Sequence, residues 1–245
     1  MNSLNRIATA SALFLAGISA AQAQTQVHGT RVIYPAEERE VTIAVDNVGT
    51  TPRLLQVWVD SGDEQSTADT AEAPFLLTPP MSRVEAGKGQ SFRLMFTGGE
   101  LPQDRESVFW FNVLEVPPKP EAKIAESVNY LQFAVRTRLK IFYRPKGLTG
   151  DPLSALDTLT WRLVREGGQV ALECTNPSSY NVSIANIQFK GATPVKTATP
   201  PGGMCPAKGN ERIAMPAQDN GSGTLIYNAI NDYGGFVERE ARYSN

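Results

Sequence analysis

The chain has 245 residues, of which 41% are hydrophobic, with 23 lysines and arginines against 25 aspartates and glutamates. That length accommodates one large or two small domains. A net charge of −2 is not the concentrated positive charge that nucleic-acid binders carry, so that class is excluded.

Residues 1–23 read as an export signal. Arg6 gives a basic start, an apolar stretch runs from Ala10 to Ala21, and Ala21-Gln22-Ala23 is the small-x-small pattern of signal cleavage. The apolar part falls short of the roughly 20 residues a spanning helix needs; a retained anchor is the alternative. Losing Arg6 leaves 22 basic against 25 acidic residues, a net charge of −3 on a chain beginning near Gln24. No later apolar run is long enough to span a bilayer, so the protein is expected not to be membrane-embedded.

Period-two alternation then recurs along the chain. Val41, Ile43 and Val45 alternate with polar or small residues, as do Leu55, Val57 and Val59, and Phe92, Leu94 and Phe96. These are the marks of half-buried antiparallel strands. Turn residues separate them at Asn47-Val48-Gly49, Ser61-Gly62-Asp63, Gly87-Lys88-Gly89 and Gly98-Gly99. Pro145 and Gly147 stop a long strand, and Gly150-Asp151-Pro152 continues what reads as a linker. Strands resume at Leu159 to Val164, Val170 to Cys174, Val182 to Ile187 and Leu225 to Ile230. The pattern predicts an all-β chain of two sandwich domains, 24–145 and 151–245, joined by a linker at 146–150.

Cys174 and Cys205 are the only cysteines. In an oxidising compartment an even pair is most simply a disulfide, worth about 3–4 kcal/mol in the chain-entropy model. A metal or redox site is the alternative, but there is no CxxC and the one histidine, His28, is remote in sequence. Enzymatic constellations are missing too. A catalytic serine needs a base, usually histidine, and His28 sits close to the mature start. No G-x-S-x-G, phosphate-binding or dinucleotide motif occurs. The glycine pairs at 98, 167, 202 and 234 read as turns, and Glu37 and Glu38 as a solvated one. No enzyme, cofactor or metal is expected.

The stretch from Asn129 to Tyr143 reads as one long strand. Leu131, Phe133 and Val135 alternate on one face; Gln132, Ala134, Arg136, Arg138 and Lys140 occupy the other. An inner strand packing on its own core would look like this. So would an edge strand that presents its side chains to a partner, a feature that proteins without such a task usually blunt.

Several segments, in order, carry a family resemblance: Thr30-Arg31-Val32-Ile33-Tyr34-Pro35, Thr78-Pro79-Pro80, and Leu101-Pro102-Gln103-Asp104-Arg105-Glu106-Ser107. Phe111-Asn112, Lys140-Ile141-Phe142-Tyr143-Arg144-Pro145, and Ile230-Asn231-Asp232-Tyr233-Gly234-Gly235 complete the set. The sequence resembles the PapD-like periplasmic chaperones of the chaperone–usher pathway. The resemblance implies two immunoglobulin-like β-sandwich domains set in an L with a cleft between them. It implies a periplasmic protein that binds, folds and stabilises pilus subunits by donor-strand complementation and delivers them to an outer-membrane usher, with self-association as a further expectation for the free protein.

Site roles follow from the same resemblance. Arg31 and Lys140 match the pair that anchors the subunit's terminal carboxylate, a task suited to a guanidinium and an ammonium. Leu131, Phe133 and Val135 match the donor side chains. Glu106, Arg144 and Asp232 match a charged cluster between the domains. Each donated apolar side chain contributes about 1.5–3 kcal/mol before ordering costs, so burial sets affinity. The carboxylate anchor sets register, because a one-residue slip swaps the faces of a strand. The connection from Pro117 to Ser127 resembles the family's short-loop branch, and Pro80 is the candidate cis proline. The competing reading is a secreted structural or adhesive sandwich, such as a pilus component, which would lack a strand and carry a donor extension at its own start.

Overall fold

The computed structural model describes residues 24–116, 133–167, 169–191, 201–216 and 221–245. The first nine strands among them are β1 (Thr25–Val27), β2 (Arg31–Pro35), β3 (Val41–Asn47), β4 (Arg53–Asp60), β5 (Phe75–Thr78), β6 (Met81–Val84), β7 (Gly89–Phe96), β8 (Ser107–Val116) and β9 (Val135–Arg144). They make two sheets, one in the order β1-β3-β7-β5 and the other in the order β2-β9-β8-β4-β6. The alternating residues of the sequence fill the space between them: Ile43, Val45, Leu55, Val57, Phe92, Leu94, Phe111 and Ile141 belong to one buried cluster.

The chain changes sheets at its start. β1 pairs with β3 in one sheet, and four residues later β2 runs parallel to β9 in the other. Gly29 makes the step between them with φ +88°, a conformation open to glycine at little steric cost. Tyr34 then pins β2 into the core. It is 1% exposed, and its hydroxyl accepts the Phe96 amide at 3.0 Å while lying 3.1 Å from the carbonyls of Glu38 and Arg39.

A short helix, α1 (Pro152–Ala155), opens the second half. Asp151 caps it by accepting from the amides of Leu153 and Ser154 at 3.0 and 2.9 Å, and proline occupies the first turn. β10 (Thr160–Glu166), β11 (Gln169–Asn176), β12 (Val182–Phe189), β13 (Gly203–Cys205), β14 (Gly209–Met215), β15 (Gly223–Ile230) and β16 (Phe236–Ser244) follow. They form one ladder in the order β13-β12-β15-β16-β10-β11-β14 around a separate core that includes Trp161, Leu172, Ile184, Leu225 and Tyr227. Cys174 and Cys205 are bonded, which ties β11 to β13, two strands that share no ladder. The protein is thus nearly all β, with two β-sheet domains.

Four features depart from the sequence expectation. β9 begins at Val135, not Asn129; Phe133 and Ala134 precede it outside any strand, and Asn129 to Gln132 lie outside the described residues. The cis bond is Thr78–Pro79, not the bond before Pro80, because the reversal from β5 to β6 starts directly after Thr78. A strand, β1, precedes the one at Arg31. β13, β14, β16 and α1 carry too little alternation, or too few residues, to stand out. The signal at 1–23 and the connection at Pro117 to Ser127 lie outside the described residues.

Candidate functional site

Two strands of unequal reach create the site. β8 pairs with β9 from Val135 to Tyr143 without a register shift. β2 pairs with the other edge of β9 only from Lys140 to Arg144. Val135 to Leu139 therefore have a neighbour on one edge, and among the described residues no strand covers the second. Backbone groups along such an edge are free to pair with another chain.

The regular register fixes the faces. Ile141 and Tyr143 point into the first domain's core, so Val135, Thr137 and Leu139 share that face. Arg136, Arg138, Lys140, Phe142 and Arg144 share the opposite one. Val135 is 40% exposed and Phe133 71%, large apolar side chains left in water. Leu131, the third expected donor residue, lies outside the described residues.

Where β2 begins, Arg31 stands in register beside Lys140. One guanidinium nitrogen of Arg31 donates to the Ile230 carbonyl at 3.0 Å, and its Nε is buried without a hydrogen-bond partner. The guanidinium carbon sits 5.8 Å from the centre of the Phe142 ring, and Lys140 Nζ sits 5.3 Å from that of Trp110. Burial pulls the Arg31 guanidinium below its ordinary value, with Asp232 opposing. Burial and then the neighbouring Arg31 pull Lys140 down. Two adjacent, partly desolvated cations with no ion-pair partner among the described residues favour an incoming anion.

Beyond them lies the charged cluster. Arg144 Nε donates to Glu106 at 2.7 Å and Nη1 to Asp232 at 2.9 Å. This joins β9 to the segment after β15. Glu106 also accepts the Asn181 amide at 2.8 Å, and its own amide donates to the Ser179 carbonyl at 2.9 Å. Burial raises the Glu106 carboxyl against the pull of Asn181 and Arg144. Burial lowers Arg144, but its bonds to Asp232 and Glu106 outweigh that and hold it above its ordinary value. Asp232 is held by a tight turn in which Asn231 accepts the amides of Tyr233 and Gly235 at 3.0 and 2.9 Å. Gly234 in this turn has φ +84°, and a Cβ there would lie 2.6 Å from Thr30 Oγ1. Glycine is needed on both counts.

Sequence reasoning missed the support on the outer face of β9. Asp60, 1% exposed, accepts from Asn112 at 2.8 Å and from the Gly62 amide at 2.7 Å, and pairs with Arg138. Arg136 donates to Asn112 at 2.9 Å and to the Glu64 carbonyl at 2.8 Å. Arg138 lies 4.2 Å from the Trp110 ring centre and Arg136 4.9 Å from that of Trp58. The available signal was parity in β4, which sets Trp58 and Asp60 opposite Val57 and Val59. His28 is exposed, and its Nε2 lies 2.6 Å from an Asp46 carboxylate oxygen.

Comparison with known proteins agrees with this geometry. The family described as "Pili and flagellar-assembly chaperone, PapD N-terminal domain" matches residues 24–149, and "Pili assembly chaperone PapD, C-terminal domain" matches 154–241. A probable fimbrial chaperone of Escherichia coli, YadV, is 40% identical over 91% of this chain and 92% of its own length. The Bordetella pertussis chaperone FimB/FhaD is 41% identical over 96% and 95%. The crystal structure of YadV superposes with a TM-score of 0.72 at 37% identity, covering 90% of this chain and 100% of that one. The Salmonella enterica SafA pilin in complex with the SafB chaperone gives 0.72 at 26% identity, covering 93% and 99%. An open strand edge beside two cations, on a fold matched along nearly its whole described length, has one family interpretation: the chain belongs to the PapD-like pilus-assembly chaperones.

Proposed function

We propose that this protein captures incompletely folded pilus subunits in the periplasm, lends the free half of β9 as their missing strand, and passes them to an outer-membrane usher. The role is binding, not catalysis. One observation carries the reading: β9 has a strand partner on only one edge from Val135 to Leu139, and the open edge ends at Arg31 and Lys140. Arg31 and Lys140 hold the subunit's terminal carboxylate. Leu131, Phe133 and Val135 fill its open groove. Glu106, Arg144 and Asp232 set the angle between domains spanning 24–145 and 151–245. Until a subunit arrives, the same edge supports self-association. Among the described residues no helix is long and apolar enough to cross a membrane.

Hydrogen exchange tests the proposal. Alternate amides of Val135 to Leu139 point away from β8 and exchange fast in the free monomer. Co-expression with a subunit protects them. Protection of β5 or β6 with none on β9 would place the subunit elsewhere and refute the reading.

A further inference from the structure

A cavity of about 250 Å³ opens beside Arg31, on the side away from the free half of β9, with Phe142, Leu153, Leu156, Ile230 and Tyr233 in its wall. A cavity of about 150 Å³ already accommodates a benzene ring, so this one holds a large side chain. Its rim is unusual. Tyr233 is 95% exposed and Leu153 53%, and Tyr233 stands on the rigid turn that Asn231 and Gly234 fix. Of the charges that reach the cavity, Arg144 is committed to Glu106 and Asp232 and Asp151 to the amides of α1, which leaves Arg31 for the carboxylate.

We propose that this cavity receives the side chain of the subunit's last residue and selects an apolar or aromatic one. The inference rests on the carboxylate anchoring at Arg31 and Lys140. A carboxylate held there leaves the last Cα one bond away, so its side chain must settle against Arg31, which is itself part of the cavity wall. An acidic side chain would find the nearby cations engaged, Arg144 by Glu106 and Asp232 and Arg31 by the terminal carboxylate. A basic one would find Glu106 and Asp232 held by Arg144, and Asp151 by the amides of α1. Either would be stripped of water with no partner left to take it. An alanine would leave the apolar wall unfilled.

Synthetic peptides of alternating valine and threonine test this by calorimetry on the intact protein. They differ only in the last residue (Phe, Ala or Glu), and each is made as free acid and as amide. The free acid ending in Phe should bind about tenfold tighter than those ending in Ala or Glu. In the double variant Tyr233→Ala, Leu153→Ala that preference should shrink to about twofold or less. Both residues are exposed, and circular dichroism checks that the variant folds. Equal binding of the three acids, or a preference that survives in the variant, overturns the cavity assignment. If the amides are weaker than the acids, the carboxylate anchor stands even then. If amides and acids bind alike, or no peptide binds, the anchor fails and the cavity role with it.

Discussion

Arg31 and Lys140 are in-register neighbours at the residue where β2 begins and the second edge of β9 becomes free. The protein therefore places two like charges side by side where an added strand would have to stop. Their repulsion opposes folding, and a carboxylate relieves it.

Arg31→Ala and Lys140→Met are accordingly expected to separate binding from stability. Each removes a charged hydrogen-bond donor worth about 1.5–3 kcal/mol, a loss of roughly 10- to 150-fold in subunit affinity. The thermal midpoint of Lys140→Met should hold or rise, because a desolvated like charge is gone. Co-purification of subunit from periplasm, with calorimetric unfolding of the free variant, checks both. Undiminished subunit yield in the double variant would remove the anchoring role.

Phe133→Glu and Val135→Glu should leave the free protein as stable as before, since Phe133 is 71% exposed and Val135 40%. Capture should weaken by about 1.5–3 kcal/mol for each lost apolar side chain, plus the cost of putting charge into an apolar groove. Leu131→Glu should likewise weaken capture. Unchanged affinity would mean that this face contributes no donated side chains.

Alkaline pH should weaken carboxylate binding early. Lys140 sits below its ordinary 10.5 because of burial and Arg31. In the free protein its charged form is disfavoured, and stability rises as pH passes up through the depressed value. A bound carboxylate needs the charged form, so affinity falls over the same interval, before 10.5 is reached. Lys140→Arg should abolish that pH dependence, because arginine stays protonated. Titration across the alkaline range decides it; identical profiles would exclude Lys140 as the titrating group.

Asp60→Asn should lower stability at neutral pH by about 1–3 kcal/mol, since Arg138 loses its carboxylate. Burial opposes ionisation of Asp60, but its bonds from Arg138, Asn112 and the Gly62 amide win and hold it below 3.8. Its contribution is therefore present above 3.8 and lost as pH falls through the lowered value. Denaturant unfolding of both proteins should show a gap that closes on acidification. A gap independent of pH would mean that the charge of Asp60 does no stabilising.

Arg144→Ala leaves Glu106, 5% exposed, without its cation, a change expected to cost up to about 3–5 kcal/mol. It also cuts the link from β9 to Asp232. Small-angle scattering should show a wider spread of domain arrangements, and Arg144→Lys should not restore the native profile, because one ammonium cannot reproduce the guanidinium fork that meets both acids. A native profile in Arg144→Ala would dismiss the cluster as the hinge clamp.

Much of the fold was legible because burial alternates with strand parity. Val41, Ile43 and Val45, and Leu55, Val57 and Val59, announce half-buried strands before any coordinates are known. Where the inner face mixes apolar with small or charged residues, as in β16 with Val237, Arg239, Ala241 and Tyr243, or carries only two apolar residues, as in β14 with Ile213 and Met215, parity says little. The pairing of Arg31 with Lys140 was legible only through family resemblance, since no local pattern relates residues more than a hundred positions apart. The open edge was one of two readings that the alternation of Leu131, Phe133 and Val135 allowed, and only the resemblance favoured it: it depends on where β2 begins relative to β9, and that is a property of pairing. The same holds for Asp60, whose partners Arg138 and Asn112 come from two other strands.

The parity of β9 has a final implication. Val135 lies on the side of the strand whose later residues, Ile141 and Tyr143, form the first domain's interior, and Phe133 comes just before it. In the proposed donor role, the protein offers a client an overhang of its own core, not a separate binding patch. A captured subunit would share a continuous oily seam with its carrier, so anything that loosens the packing around Ile141 should also loosen the grip on cargo.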